Sequence, residues 1–152
     1  MTQGLAGVPS KAGLTFKLLH VGVAVPDLGP TTEMLSKLFG YRVVSGPFDD
    51  PVQKVQVNFL AQSEADFAEI ELIAPLTEDS PIRSMLRKDS GGAYHLCLET
   101  NDIEAAVTHA QKNGCVIVQK PVPAVAFGGR RIAWIYTRSR QLFELVEAQP
   151  AR

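Results

Sequence analysis

The sequence predicts an α+β fold made of two βαβββ units in tandem, and three observations carry that reading. HVGVAVPDL from His20 and HLCLETNDI from His95 open alike: a histidine, alternating apolar residues, then an aspartate seven positions on, Asp27 or Asp102. A helix-like stretch follows each aspartate and stops at a glycine, Gly40 or Gly114, which lie 13 and 12 residues beyond those aspartates. Each half closes on an apolar strand with a central glutamate, EIELIAP with Glu71 and QLFELVE with Glu144, so the histidine-to-glutamate interval is 51 residues in one half and 49 in the other. Agreement at this many spaced positions marks an internal repeat.

The elements follow in order. Residues 1–15 are rich in Gly, Ser and Ala and read as a flexible tail. Residues 16–148 form a single domain: module 1 over about 16–74, a linker helix within 75–92, and module 2 over about 93–148. His20, Gly22 and Ala24 alternate with Val21, Val23 and Val25, the period of a strand. Asp27 and Asp102 are placed as helix N-caps. Leu28, Leu35, Leu38 and Phe39 form one helical stripe, and Ile103, Ala106, Val107 and Ala110 the other. Gly40 and Gly114 stand where left-handed C-terminal caps belong. Three strands complete each module, over 41–45, 53–61 and 67–73 and over 115–119, 130–136 and 141–147. Between the modules, Ser80-Pro81 opens a short helix to about Arg87, and Ser90-Gly91-Gly92 forms a joint.

Composition excludes several functions. Fifteen Lys and Arg against 16 Asp and Glu leave a net charge of −1, which argues against a broadly basic nucleic-acid binder. No apolar run approaches the roughly 20 residues of a membrane helix. The opening MTQGLAGVPSKAGLT has no basic head before an apolar stretch, so it does not read as a secretory signal. Cys97 and Cys115 are too few for a disulfide framework, and a reducing cytoplasm is the expected compartment.

The duplicated histidine and glutamate point to chemistry. Packing of the halves about a pseudo-twofold axis brings His20, Glu71, His95 and Glu144 together, and imidazole with carboxylate suits Zn, Ni, Co, Mn or Fe(II). Two of each without a thiolate argues against a closed structural zinc site and for one divalent ion with open positions. Glu71 and Glu144 lie between apolar neighbours, so they share the face opposite those side chains. On a cupped sheet that face lines a cavity.

These motifs resemble the vicinal oxygen chelate (glyoxalase/bleomycin resistance/dioxygenase) superfamily, and within it most closely the methylmalonyl-CoA epimerase family. The resemblance covers about residues 17–147. HVGVAVPDL resembles the family's opening ligand strand, ELIAPLTEDSPIRSML its ligand strand, proline and short helix, and YHLCLETNDIEAA its second histidine strand. GGRRIAW followed by LFELVE resembles its glycine-arginine loop and closing glutamate. The resemblance implies two βαβββ modules forming a cupped eight-stranded mixed sheet around a metal held by His20, Glu71, His95 and Glu144. It also implies Gly129 and Arg131 at the substrate and Glu144 as one of two proton-transfer groups. Where the family carries its other catalytic glutamate this chain has Val52, and Asp50 is the nearest candidate acid.

The expected function is divalent-metal-dependent proton transfer next to a carbonyl or thioester, with a small-molecule substrate such as an acyl-CoA. A glyoxalase I-like lactoylglutathione lyase uses the same ligand types and is the first alternative. A non-catalytic small-molecule-binding protein on the same scaffold is the second. No nucleic-acid or membrane partner is expected, and the superfamily resemblance implies a homodimer.

Overall fold

The computed structural model describes residues 13–63, 69–89 and 91–150. The elements run β1 (Phe16–Ala24), α1 (Leu28–Phe39), β2 (Arg42–Asp50), β3 (Val55–Ala61), β4 (Glu69–Pro75), α2 (Ile82–Asp89), β5 (Gly92–Thr100), α3 (Ile103–Lys112), β6 (Val116–Pro123), a 3-10 turn (Val125–Phe127), β7 (Arg131–Tyr136) and β8 (Leu142–Glu147). This is βαβββ twice, with α2 as the linker helix. All strands join one sheet ordered β2-β3-β4-β1-β5-β8-β7-β6, so each module supplies four neighbouring strands. β1 runs parallel to β4, and β5 to β8, while β1 and β5 meet antiparallel at the seam between modules. The sheet curls into an open half-barrel. Its two far edges approach closely enough for Gln53 Nε2, just beyond β2, to donate to Gln119 Oε1 of β6 at 3.1 Å.

Helices α1 and α3 cover the convex face, while α2 packs on the concave side against Val55, Val57 and Ile73. Leu28 packs with Val25, Leu60, Leu72 and Ala74, while Ile103, Ala106 and Ala110 pack on Ala133, Ile135 and Leu145. The α1 stripe is buried only through Leu35; Leu38 and Phe39 in the last turn are exposed. Asp27 accepts from Gly29 N–H at 2.8 Å and Asp102 from Ala105 N–H at 2.9 Å, so both aspartates cap as expected. Gly40 takes φ +74° and closes α1 in the left-handed conformation that glycine adopts without penalty. Ser80 precedes α2, but its buried hydroxyl makes no hydrogen bond.

Two strands outrun their predicted ends. β2 passes through Gly46-Pro47 to Asp50, and β6 passes through Pro121 to Pro123. Proline lacks the N–H that a strand ladder uses. Each lies on an edge strand at a register shift, Ser45/Phe48 or Gln119/Val122, where the ladder does without its N–H. The tail expected over 1–15 lies largely outside the described residues, as does Ser90 of the joint. Gly13 and Thr15 are held by Asn101, whose amide donates to Gly13 O and accepts from Thr15 N–H, both at 2.9 Å.

Candidate metal centre and active-site cavity

The seam between β1 and β5 builds the site. In the antiparallel ladder Leu18 faces Leu98 and His20 faces Cys97, leaving Leu19 as an extra residue on β1. On the other strand Gly22 faces His95 and Val23 faces Ala93, leaving Tyr94 extra on β5. Each histidine therefore directly follows a β-bulge, a device that re-aims side chains. The His95 ring lies on Gly22: a Cβ there would stand 1.9 Å from His95 Cε1. Only glycine leaves room for the imidazole.

From β4 and β8, Glu71 and Glu144 complete the set, and the four side chains converge from both modules. His20 Nε2 lies 3.0 Å from Glu71 Oε2, 3.2 Å from Glu144 Oε2 and 3.1 Å from His95 Nε2. His95 Nε2 lies 3.4 Å from Glu71 Oε2 and 3.5 Å from Glu144 Oε2. All four residues are buried, none more than 5% exposed. Burial disfavours the His20 imidazolium, but the Glu144 and Glu71 carboxylates outweigh it and raise its pKa to about 10. Burial likewise opposes ionisation of Glu144, yet the His20 and His95 imidazoles beside it hold the carboxyl well below its usual range.

This donor set fits a divalent cation. Donors sharing one ion at about 2.0–2.1 Å each stand about 3.0–3.4 Å apart, close to the spacings above. Two buried carboxylates need two positive charges nearby, which a divalent ion supplies. The Glu144 Oε2 atom is fully buried without a hydrogen-bond partner, as expected of an atom whose partner is an ion. Among the described residues, this is the one cluster of three or more His, Cys, Asp and Glu side chains placed to hold a metal.

Beside the cluster lies a cavity of about 470 Å³, bordered by Glu71, Glu144, Asp50, Gln53, Tyr94 and Gln119 among mostly apolar side chains. Trp134 and Phe127 both line it; the Trp134 ring packs edge-on to His95 with centroids 4.8 Å apart. Asp50 is 4% exposed, and its Oδ1 accepts from Val52 N–H and Gln53 N–H, each at 2.9 Å. Its other oxygen has no hydrogen bond to another of the described residues. Val52, at the position where the resemblance places a glutamate, is 61% exposed and is not on the cavity wall.

Gly129 and Arg131 are not brought to this cavity. Gly129 belongs to the turn behind the 3-10 segment, where its N–H donates to Ala124 O. Arg131 points to the convex side, its guanidinium held by Glu147 and Glu104, each at 2.7 Å. Strand alternation sends Arg130 inward instead, to Glu99 at 2.9 Å and over the Phe127 ring. There it borders a second cavity of about 510 Å³, on the other side of His20, with Lys17, Leu19 and Glu69. The sequence does not single out Tyr94 or Gln119. In a regular strand the residue before a ligand faces away from it, and the bulge that reverses this for Tyr94 leaves no sequence signature.

Comparison with known proteins gives a consistent result. The family model for the Glyoxalase/Bleomycin resistance protein/Dioxygenase superfamily matches residues 19–134. The chain is 32% identical over 123 residues to the ethylmalonyl-CoA/methylmalonyl-CoA epimerase of Cereibacter sphaeroides, covering 80% of this chain and 89% of that protein. It is 32% identical over 134 residues to the mitochondrial methylmalonyl-CoA epimerase of Dictyostelium discoideum, covering 86% and 78%. Among solved structures, the methylmalonyl-CoA epimerase of Mycobacterium tuberculosis superposes with a TM-score of 0.77 at 30% identity, over 88% of this chain and 89% of that one. A variant of the Streptomyces coelicolor epimerase in complex with 2-nitronate-propionyl-CoA superposes with a TM-score of 0.74 at 25% identity, over 87% and 96%.

Proposed function

The chain belongs to the glyoxalase/bleomycin resistance protein/dioxygenase superfamily, and we propose that it is a metal-dependent epimerase of a 2-alkylmalonyl-CoA thioester such as methylmalonyl-CoA. The observation that carries this reading is the convergence of His20, Glu71, His95 and Glu144 at the wall of a cavity that also holds the buried Asp50. Relatives about one-third identical over most of the chain carry the epimerase name.

The substrate carbon lies between two carbonyl groups, and inversion there needs proton removal on one face and return on the other. His20, Glu71, His95 and Glu144 would hold one divalent ion, of Co, Ni, Zn, Mn or Fe. When bound, that ion supplies Lewis-acid stabilisation of negative charge on substrate oxygen. One carboxyl group of this chain takes the proton as the C–H electron pair moves into the enolate, and a second returns a proton to the opposite face. Glu144 is the first of these groups and Asp50 the second; between them they carry one proton at the start and one at the end. Asp50 is positioned by its two backbone hydrogen bonds, which fix one oxygen and leave the other to exchange the proton. The apolar walls exclude water that would otherwise solvate the enolate. We assign the active form as a homodimer, as the superfamily resemblance implies.

The test is incorporation of solvent deuterium at C2 of methylmalonyl-CoA by the metal-loaded protein, followed by NMR. Exchange with inversion supports the proposal. Turnover of methylglyoxal with glutathione in its place assigns a glyoxalase-type lyase instead, and binding without turnover of either assigns a non-catalytic role.

A further inference from the structure

We propose that Tyr94 is a catalytic residue of this site, its phenol hydroxyl donating a hydrogen bond to the substrate oxygen that becomes negatively charged when the α-proton leaves. The assignment rests on the epimerase reading above and adds to it a residue outside the ligand set and the proton-transfer pair.

Three features of the fold support it. The register shift between Gly22–His95 and Val23–Ala93 leaves Tyr94 without a ladder partner, so its side chain faces the concave side together with that of the next residue. Its ring is wedged there: the centroid lies 4.6 Å from that of His95 in an edge-on contact, and the ring also packs against the buried cluster of Ala24, Val55, Val57 and Ile73. A ring held on two sides presents its hydroxyl in a fixed direction. Tyr94 borders the cavity shared by Glu71, Glu144 and Asp50, and its hydroxyl makes no hydrogen bond to another of the described residues. A phenol at an apolar wall without a partner meets one in whatever polar atom enters.

The site's own chemistry indicates which atom that is. Glu71 and Glu144 are acceptors as carboxylates, the Asp50 carboxyl is committed to the proton it exchanges with the substrate carbon, and no Lys or Arg lines the cavity. The remaining neutral donors on its wall are the Trp134 indole N–H and the Gln53 and Gln119 amides, the last two joined by one hydrogen bond from Gln53 to Gln119. Tyr94 is the one hydroxyl donor of the wall among the described residues. A donor fixed before the reaction contributes most where charge develops during it. The repeat supplies an internal comparison: the bulged residue before His20 is Leu19, which offers no donor to the second cavity.

The test compares metal-loaded wild type with Tyr94→Phe, which keeps the ring. The probes are 2-nitronate-propionyl-CoA, which carries a planar anionic group next to the thioester, and propionyl-CoA, which does not. Wild type is expected to bind the nitronate far more tightly. Tyr94→Phe is expected to lose about 100-fold in that affinity and in kcat, as removal of a single oxyanion donor does. Its affinity for propionyl-CoA, its KM and its metal content are expected to stay within about twofold of wild type. Equal losses for both esters, or no loss for either, would overturn the Tyr94 assignment while leaving the epimerase reading intact. Wild type that binds neither ester and exchanges no α-proton overturns both.

Discussion

At the residue scale, function turns on a few side chains whose positions admit little substitution. Gly22 is one. Its missing Cβ is the space occupied by His95, so Gly22→Ala displaces a donor without altering any donor's chemistry. The expected result is at least a tenfold loss in metal affinity with the fold retained, read by metal content after dialysis against a weak chelator and by circular dichroism. Asp50 is another. Asp50→Asn keeps an acceptor oxygen for the Val52 and Gln53 N–H groups but cannot carry the proton. Inversion of methylmalonyl-CoA should fall by a factor of 10² or more, in the range typical of general acid-base catalysis. Exchange of the α-proton with solvent on a single face should persist through Glu144. Loss of exchange on both faces to the same extent would contradict the division of roles. The four converging donors were legible in the sequence because His and Glu recur at matched intervals in both halves. Asp50 was legible only as the acid nearest Val52, since nothing in FDDPVQ shows that β2 continues through Pro47 and carries Asp50 to the cavity wall. Which arginine of GGRR faces inward was not legible: the strand alternation points Arg131 to Glu104 and Glu147 and leaves Arg130 facing the cup.

At the element scale, the strands and helices were legible where period and caps agree. Asp27, Asp102 and Gly40 act as their positions in the sequence indicate. Bulges were not legible, because a bulge changes which face a residue takes without changing its type. Those before His20 and His95 are therefore the features that sequence periodicity misses, and they are the ones that shape the site. The helix caps also support a prediction. Asp102→Ala removes the acceptor for Ala105 N–H and should cost about 1 kcal/mol of stability, measured by urea denaturation, with little effect on metal content. α3 packs on the convex face, away from the donors. The Gln53–Gln119 hydrogen bond spans the two sheet edges across the cavity, so the curl of the sheet and the width of the opening change together.

At the scale of the whole molecule, the ion and the fold are coupled. Two of the four donors come from each module, so a bound ion ties the modules together. Stripping it with a chelator should lower the thermal midpoint. At free ion 100 times Kd the bound form gains about 2.7 kcal/mol, which scanning calorimetry would resolve. Protons and metal compete for the same atoms. His20 is raised to about 10 by its carboxylate neighbours, whereas a ligating imidazole must be neutral. Loading the ion at pH 7 should therefore release protons, and apparent affinity should rise with pH. Calorimetric titration in buffers of different ionisation enthalpy measures that release; a heat independent of the buffer would contradict it.

The antiparallel seam of β1 and β5 has a consequence for how such a protein can diversify. A single βαβββ module paired with its own copy would present two histidines and two glutamates by rotation alone, and two identical hollows beside them. Fusing both modules in one chain releases the hollows from being alike. Here one holds Tyr94, Asp50 and apolar walls, and the other holds Leu19, Lys17, Glu69 and Arg130. The shared centre remains symmetric while its two sides have become chemically distinct, so a ligand arriving there meets a left and a right. Glu144 and Asp50 both border the first hollow, so a reaction there need have no twin in the other.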